Sequence, residues 1–234
     1  MIVYLPSSLI HGGILSTGPL ILHVREYVQF FATASDDGSV RVWDSNRVEG
    51  RGVTNLSRMA YKGLKSRVAA LAVCAGADSL VAAGHNGQLH VLNVEVAKKR
   101  VTCTAQRSID LAADGRIIDV QTLEPGSATV VYTTVRGAVY GWDMRADTLA
   151  FALRNPPSQG LVEAFSIGER ASWMMVGTSR GIYTVWDMRY QLPVKSWVDP
   201  KGLRVGRIVP YPTGAPDLSG KNGDTSSWVR TPVS

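Results

Sequence analysis

The chain has 234 residues, 45% of them apolar, and carries a formal charge of +6. That length and apolar fraction make a globular protein with a substantial buried core the expectation, as one large domain or two small ones. The basic residues would favour acidic partners, but they are scattered, the densest run being Lys98–Arg100, so a concentrated nucleic-acid footprint is not read.

The opening MIVYLPSSLIHGGILSTGPLILHV is apolar but lacks a basic leader and is interrupted by Pro6, Gly12, Gly13 and Pro19. Neither a secretory signal nor a membrane span is expected from it, and without Gly at position 2 it carries no myristoylation signal. Residues 1–18 are read as an irregular N-terminal segment. Cys74 and Cys103 lie 29 residues apart with no Cys-x-x-Cys pair and no histidine at ligand spacing. They are read as reduced intracellular thiols, and no metal is expected.

The next segment, FFATAS-DDG-SVRVWD, alternates strand-forming residues around a turn that needs positive φ, which Gly38 supplies without steric cost. It recurs as AAGHNGQLHVLN, YTTVRGAVYGWD and VGTSRGIYTVWD. The turn glycines Gly38, Gly87, Gly137 and Gly181 are separated by 49, 50 and 44 residues, and each is followed five residues later by Trp43, Leu92, Trp142 or Trp186. An Asp or Asn follows at once in every copy: Asp44, Asn93, Asp143 and Asp187. A second apolar track runs in phase, with RVAALAV, RIIDVQTL and LVEAFSI preceding their turn glycines by nearly constant distances, and Pro19–Val24 standing in that place for the first copy.

Short strands repeating every 40 to 50 residues and closing on Trp-Asp predict an all-β protein built of WD40-type propeller blades. About four blades are read across residues 19–212, with a fifth beginning at Arg204 and an irregular tail over 213–234. A partial ring leaves exposed sheet faces and edges, so the isolated chain is expected to aggregate or to depend on other sequence or a partner.

Beyond the blade pattern, FATASDDGSVRVWDSNRVEGR, GHNGQLHVLNVEVAKK, VRGAVYGWDMR and above all GTSRGIYTVWDMRYQLPVKSW resemble the C-terminal WD40 region of the regulatory-subunit-4 family of class III phosphatidylinositol 3-kinase. The resemblance covers roughly Phe30 to Pro212. It implies a non-catalytic scaffold contacting the lipid-kinase catalytic subunit and Beclin-type coiled-coil subunits. The location implied is cytoplasmic, peripheral to endosomal and autophagic membranes, with neither direct membrane insertion nor nucleic acid. WD40 propellers also carry a buried polar relay from a strand Ser or Thr and a turn Asp to the Trp indole and a His. Its matching positions here are Ser35, Asp37 and Trp43, then Thr134 with Trp142 and Thr178 with Trp186, while no histidine stands convincingly at the fourth place.

Catalysis finds no residue-level support. GAPDLSGKN, Gly214–Asn222, places five residues rather than four between its glycines and follows Lys221 with Asn, so it fails the phosphate-loop pattern. No Gly-rich kinase loop, His-Arg-Asp or Asp-Phe-Gly is read, and no catalytic residue or cofactor is expected. One alternative stays open: WDMR occurs twice, and Arg145 and Arg189 could dock a cullin-4 adaptor, making the chain a ubiquitin-ligase substrate receptor.

Overall fold

A residue seven before each turn glycine faces a residue five after it, and that one rung organises the molecule. In the computed structural model, which describes residues 2–4, 30–44, 57–74, 79–95, 98–124, 127–168, 171–210 and 228–232, the chain forms four antiparallel sheets of four strands and one of two. The first sheet holds β1 (Ile2–Tyr4), β2 (Phe30–Ala34), β3 (Val40–Asp44) and β4 (Ser57–Tyr61). The second holds β5 (Val68–Cys74), β6 (Ser79–Gly84), β7 (Gln88–Glu95) and β8 (Arg100–Ser108). A four-residue helix, α1 (Leu111–Asp114), leads to the third: β9 (Ile117–Thr122), β10 (Thr129–Thr134), β11 (Ala138–Asp143) and β12 (Thr148–Arg154). The fourth holds β13 (Val162–Ile167), β14 (Trp173–Thr178), β15 (Ile182–Asp187) and β16 (Leu192–Val198), and the fifth β17 (Val205–Pro210) and β18 (Trp228–Pro232).

The rung pairs Phe31 with Trp43, Leu80 with Leu92, Val130 with Trp142 and Met174 with Trp186. In all four sheets the next strand pairing slips immediately before this residue, between Val42 and Trp43, Val91 and Leu92, Gly141 and Trp142, and Val185 and Trp186. Such a bulge increases local twist and re-aims the side chain that follows it. Leu92 keeps the same rung and the same bulge as the tryptophans, so the second copy is a full member of the repeat.

Successive sheets stack face to face. Trp142, fully buried, packs towards Ala70, Ala72, Val81, Ala83 and Val91 of the second sheet. Trp186 packs towards Val131, Val139 and Leu153 of the third, and Leu92 towards the first. Leu92, Trp142 and Trp186 therefore face the preceding sheet, whose contacting side chains are mostly Ala and Val. Burying one such large side chain contributes roughly 1.5–3 kcal/mol. Val205 and Ile208 of β17 carry the stack forward onto Ala164, Met175 and Tyr183. The fold is a partial β-propeller of four blades and the start of a fifth.

The ends differ from the sequence reading. Ile2–Tyr4 pairs with Phe31–Thr33 and Trp228–Pro232 pairs with β17, so the segments read as irregular each contribute a strand. Both runs alternate strand-forming residues but are too short, and too far along the chain from their partners, for a repeat period to register. Pro19–Val24, the expected inner strand of the first copy, lies outside the described residues.

Candidate functional site

The four turn glycines lie against the connections that follow their own blades. Gly38, Gly87, Gly137 and Gly181 have φ of 79°, 77°, 93° and 69°. At Gly38 a side-chain carbon would come within 2.6 Å of the Ser66 carbonyl oxygen, and at Gly181 within 2.6 Å of that of Leu203, both in the connection leading to the following blade. Left-handed backbone and close approach together leave only glycine. In three blades the turn carbonyl also accepts the amide that ends the outer strand: Ile109 on Gly87 at 3.0 Å, Asn155 on Gly137 at 2.8 Å and Asp199 on Gly181 at 2.8 Å.

The relay positions sit in these turns but do not reach the indoles. Asp37 accepts from the Ser39 amide at 2.9 Å and the Ser39 hydroxyl at 2.6 Å, while Ser35 Oγ accepts the Asp37 amide at 3.4 Å. Those bonds from Ser39 hold the Asp37 carboxyl down at about 2. Thr134 Oγ1 accepts the Ala138 amide and Thr178 Oγ1 the Ile182 amide, both at 3.2 Å, closing their hairpins. The indoles are served elsewhere: Trp43 Nε1 donates to Thr33 at 2.8 Å and Trp142 Nε1 to Asp147 at 2.9 Å. Trp186 Nε1 is buried without an acceptor among the described residues. Thr33 stands five residues before its turn glycine, where the third and fourth blades have Tyr132 and Val176, and Asp147 stands five after Trp142. Those two offsets are the sequence signal that a search confined to the turn misses.

The two WDMR arginines differ. Arg189 is locked to Asp187 by Nε at 3.0 Å and a terminal nitrogen at 2.6 Å, and its guanidinium lies 5.8 Å from the Trp173 ring centre and 5.6 Å from that of Tyr190. Those bonds hold the Asp187 carboxyl below its usual range. Arg145 approaches Asp143 only to 3.8 Å and is 81% exposed. Of the pair, Arg145 alone presents a loosely held guanidinium.

Between blades the polar contacts are specific. Asp114 accepts from Tyr140 at 2.8 Å and Arg154 at 2.6 Å, fixing α1 against the third sheet. The Tyr61 hydroxyl and His90 Nδ1 lie 2.7 Å apart across the first seam, and burial pushes His90 down, favouring the neutral ring. Gln121 stitches the third seam, donating to the Phe165 carbonyl at 3.1 Å and accepting the Ile167 amide at 3.2 Å. Beside it, burial raises the Asp119 carboxyl to about 6, partly opposed by the Val120 amide, Gln121 and the charge of Arg207. Burial likewise drives the Cys74 thiol up to about 12, and both Cys74 and Cys103 are free. Among the described residues no cluster of His, Cys, Asp or Glu could hold a metal, and no helix is long and apolar enough to cross a membrane.

The repeated four-strand sheet, its left-handed turn glycine and its bulged Trp or Leu rung define a WD-repeat propeller segment whose recurring geometry is structural rather than chemical. No family profile matches the chain. It is 35% identical over 210 residues to the vps15 serine/threonine-protein kinase of Dictyostelium discoideum, covering 86% of this chain. It is 26% identical to the VPS15 kinase of Arabidopsis thaliana over 78% of the chain, and 25% identical to that of Saccharomyces cerevisiae over 72%. The chain is a VPS15-like region. It spans 10%, 14% and 12% of the lengths of these three relatives.

Proposed function

We propose that the chain is a non-catalytic scaffold region of a class III phosphatidylinositol 3-kinase regulatory subunit, supporting assembly of the kinase complex in autophagy and in endosomal and vacuolar sorting. The observation that carries this reading is the long match to VPS15 relatives over the stacked sheets, in a chain whose well-placed polar groups are spent on turns and seams. The kinase activity in the relatives' names belongs to proteins of which this chain spans a small fraction. On this reading the partners are the lipid-kinase catalytic subunit and Beclin-type subunits, held on cytoplasmic membrane surfaces through the complex.

Affinity purification of a tagged full-length protein tests it. The lipid kinase and a Beclin-type subunit are expected to co-purify, and to be lost when this region is deleted. The ubiquitin-ligase alternative rests on Arg145, since Arg189 is clamped by Asp187. Recovery of a cullin adaptor that disappears on combining Arg145→Ala with Arg189→Ala, without any lipid kinase, would replace the scaffold reading.

A further inference from the structure

Two residues before its rung residue, each blade carries a polar side chain: Arg41, His90, Tyr140 and Thr184. Three of these are served close to home. Arg41 reaches Asp37 of its own turn at 3.4 Å, and Thr184 donates to Gln159 at 3.0 Å and lies 2.9 Å from the Ser196 hydroxyl. Tyr140 gives its hydroxyl to Asp114 at 2.8 Å, a carboxylate that Arg154 also holds. His90 is the one that meets a strand of the preceding blade. It is 4% exposed, and its Nδ1 lies 2.7 Å from the hydroxyl of Tyr61 on β4, with the two rings edge to face.

We infer that the first seam is an acid-opened latch, in which proton uptake by His90 parts the first blade from the second while the later seams stay shut. The neutral ring can take the Tyr61 O–H at Nδ1. The imidazolium carries a proton on both nitrogens and accepts none, so Tyr61 loses that acceptor and a full charge lies buried against a neutral partner. Water reaches the ring when β4 draws away from β7. Among the described residues, no free carboxylate faces the ring to offset the charge. β4 presents Tyr61, β6 presents Ala82, and β8 presents Gln106 directly opposite together with Cys103, whose thiol bonds the same Tyr61 hydroxyl. The connection after β4 carries Lys62 and Lys65, both exposed, and Arg67, which holds Asp36 at 2.6 Å. At the far end of β7, Glu95 is held by Lys98 at 2.7 Å.

Burial therefore lowers the ring below its ordinary 6.5, and the neutral form favours the closed seam. That contribution is complete above 6.5 and is lost as pH falls below it. The first seam also has a smaller rung residue to hold it, Leu92, where the second and third bury Trp142 and Trp186. Acid leaves those two alone or tightens them. At the second, the place of His90 is taken by Tyr140, which burial and Asp114 keep neutral. At the third, the raised Asp119 carboxyl takes up its proton in favour of the folded state.

Methionine methyl NMR of the whole chain reads the seams separately, since Met59 is buried in the first and Met174 in the third. A soluble paramagnetic probe relaxes each methyl only when its seam opens. As pH falls below 6.5 the relaxation of Met59 is expected to rise, by up to about tenfold per pH unit, while Met174 stays protected. His90→Gln keeps a neutral partner for Tyr61 and is expected to hold Met59 protected throughout, whereas His90→Lys is expected to expose it at neutral pH. Tyr61→Glu sets a carboxylate against the ring and is expected to keep the seam shut in acid. A Met59 that stays protected in acid overturns the inference, as does joint loss of protection at Met59 and Met174. So does a folded His90→Gln or Tyr61→Glu protein that opens as the wild type does. Where a variant does not fold, the wild-type ring decides: its own NMR titration is expected below 6.5, and a midpoint at or above 6.5 removes the latch.

Discussion

The third and fourth blades share Trp-Asp-Met-Arg, the same rung and the same bulge, yet they solve the indole problem differently. Trp142 gives its N–H to Asp147, while Trp186, five residues before Gln191, has no acceptor among the described residues. Both fifth positions are left-handed, with φ of 51° at Asp147 and 57° at Gln191. Asp tolerates that conformation and its short carboxylate reaches back to the indole, whereas Gln191 is exposed. One position in a connector therefore decides whether the central aromatic is satisfied, and the apolar seam carries the blade that lacks it.

The comparison breaks most sharply at the aromatics themselves. Trp142→Ala is expected to cost about 3–5 kcal/mol by urea unfolding, since it opens a cavity between the second and third sheets. Trp186→Phe is expected to cost far less than Trp142→Phe, because it removes a donor that is already unpaired whereas the latter abandons Asp147. Equal losses for the two Phe variants would sink the contrast.

Next in size is the pH dependence set by Asp119 at the seam joining these two blades. Its folded carboxyl titrates near 6, above its ordinary 3.8, so the protonated form favours folding. That contribution is fully present below the unfolded value and is lost as pH rises through about 6. Asp119→Asn is expected to flatten the slope between those limits, by on the order of 2–3 kcal/mol across the window. Denaturation midpoints of both proteins on either side of pH 6 give the answer, and parallel curves would remove Asp119 from the seam's energetics.

Smaller still are the connector exchanges. Asp147→Ala is expected to lose about 1–3 kcal/mol by leaving the Trp142 indole unpaired. Gln191→Asp is expected to gain about 1 kcal/mol by supplying the missing acceptor to Trp186, seen as a rise in unfolding midpoint. A Gln191→Asp protein no more stable than wild type would show that the left-handed connector of the fourth blade points its side chain elsewhere.

The repeat was legible because its markers are local: a glycine that must be left-handed and a residue five positions later on the same hairpin. The same locality explains why Leu92 could be aligned with three tryptophans. What escaped were pairings made by tertiary approach. Ser35 and Asp37 look like a relay in sequence but close their own turn, and the acceptors Thr33 and Asp147 lie outside it. The strands at the two ends were unreadable for a related reason, since Ile2–Tyr4 finds its partner at Phe31–Thr33. Arg145 and Arg189 looked interchangeable until Asp187, Trp173 and Tyr190 closed around one of them.

Gln121 belongs to one blade and hydrogen-bonds the backbone of the next. Its amide occupies both a carbonyl and an N–H of the adjoining blade, as a peptide unit would. The Ile167 amide exchanges only when the Gln121 acceptor lets go, so its rate reports the state of this seam. A single glutamine side chain thereby links two repeats through the backbone of one of them.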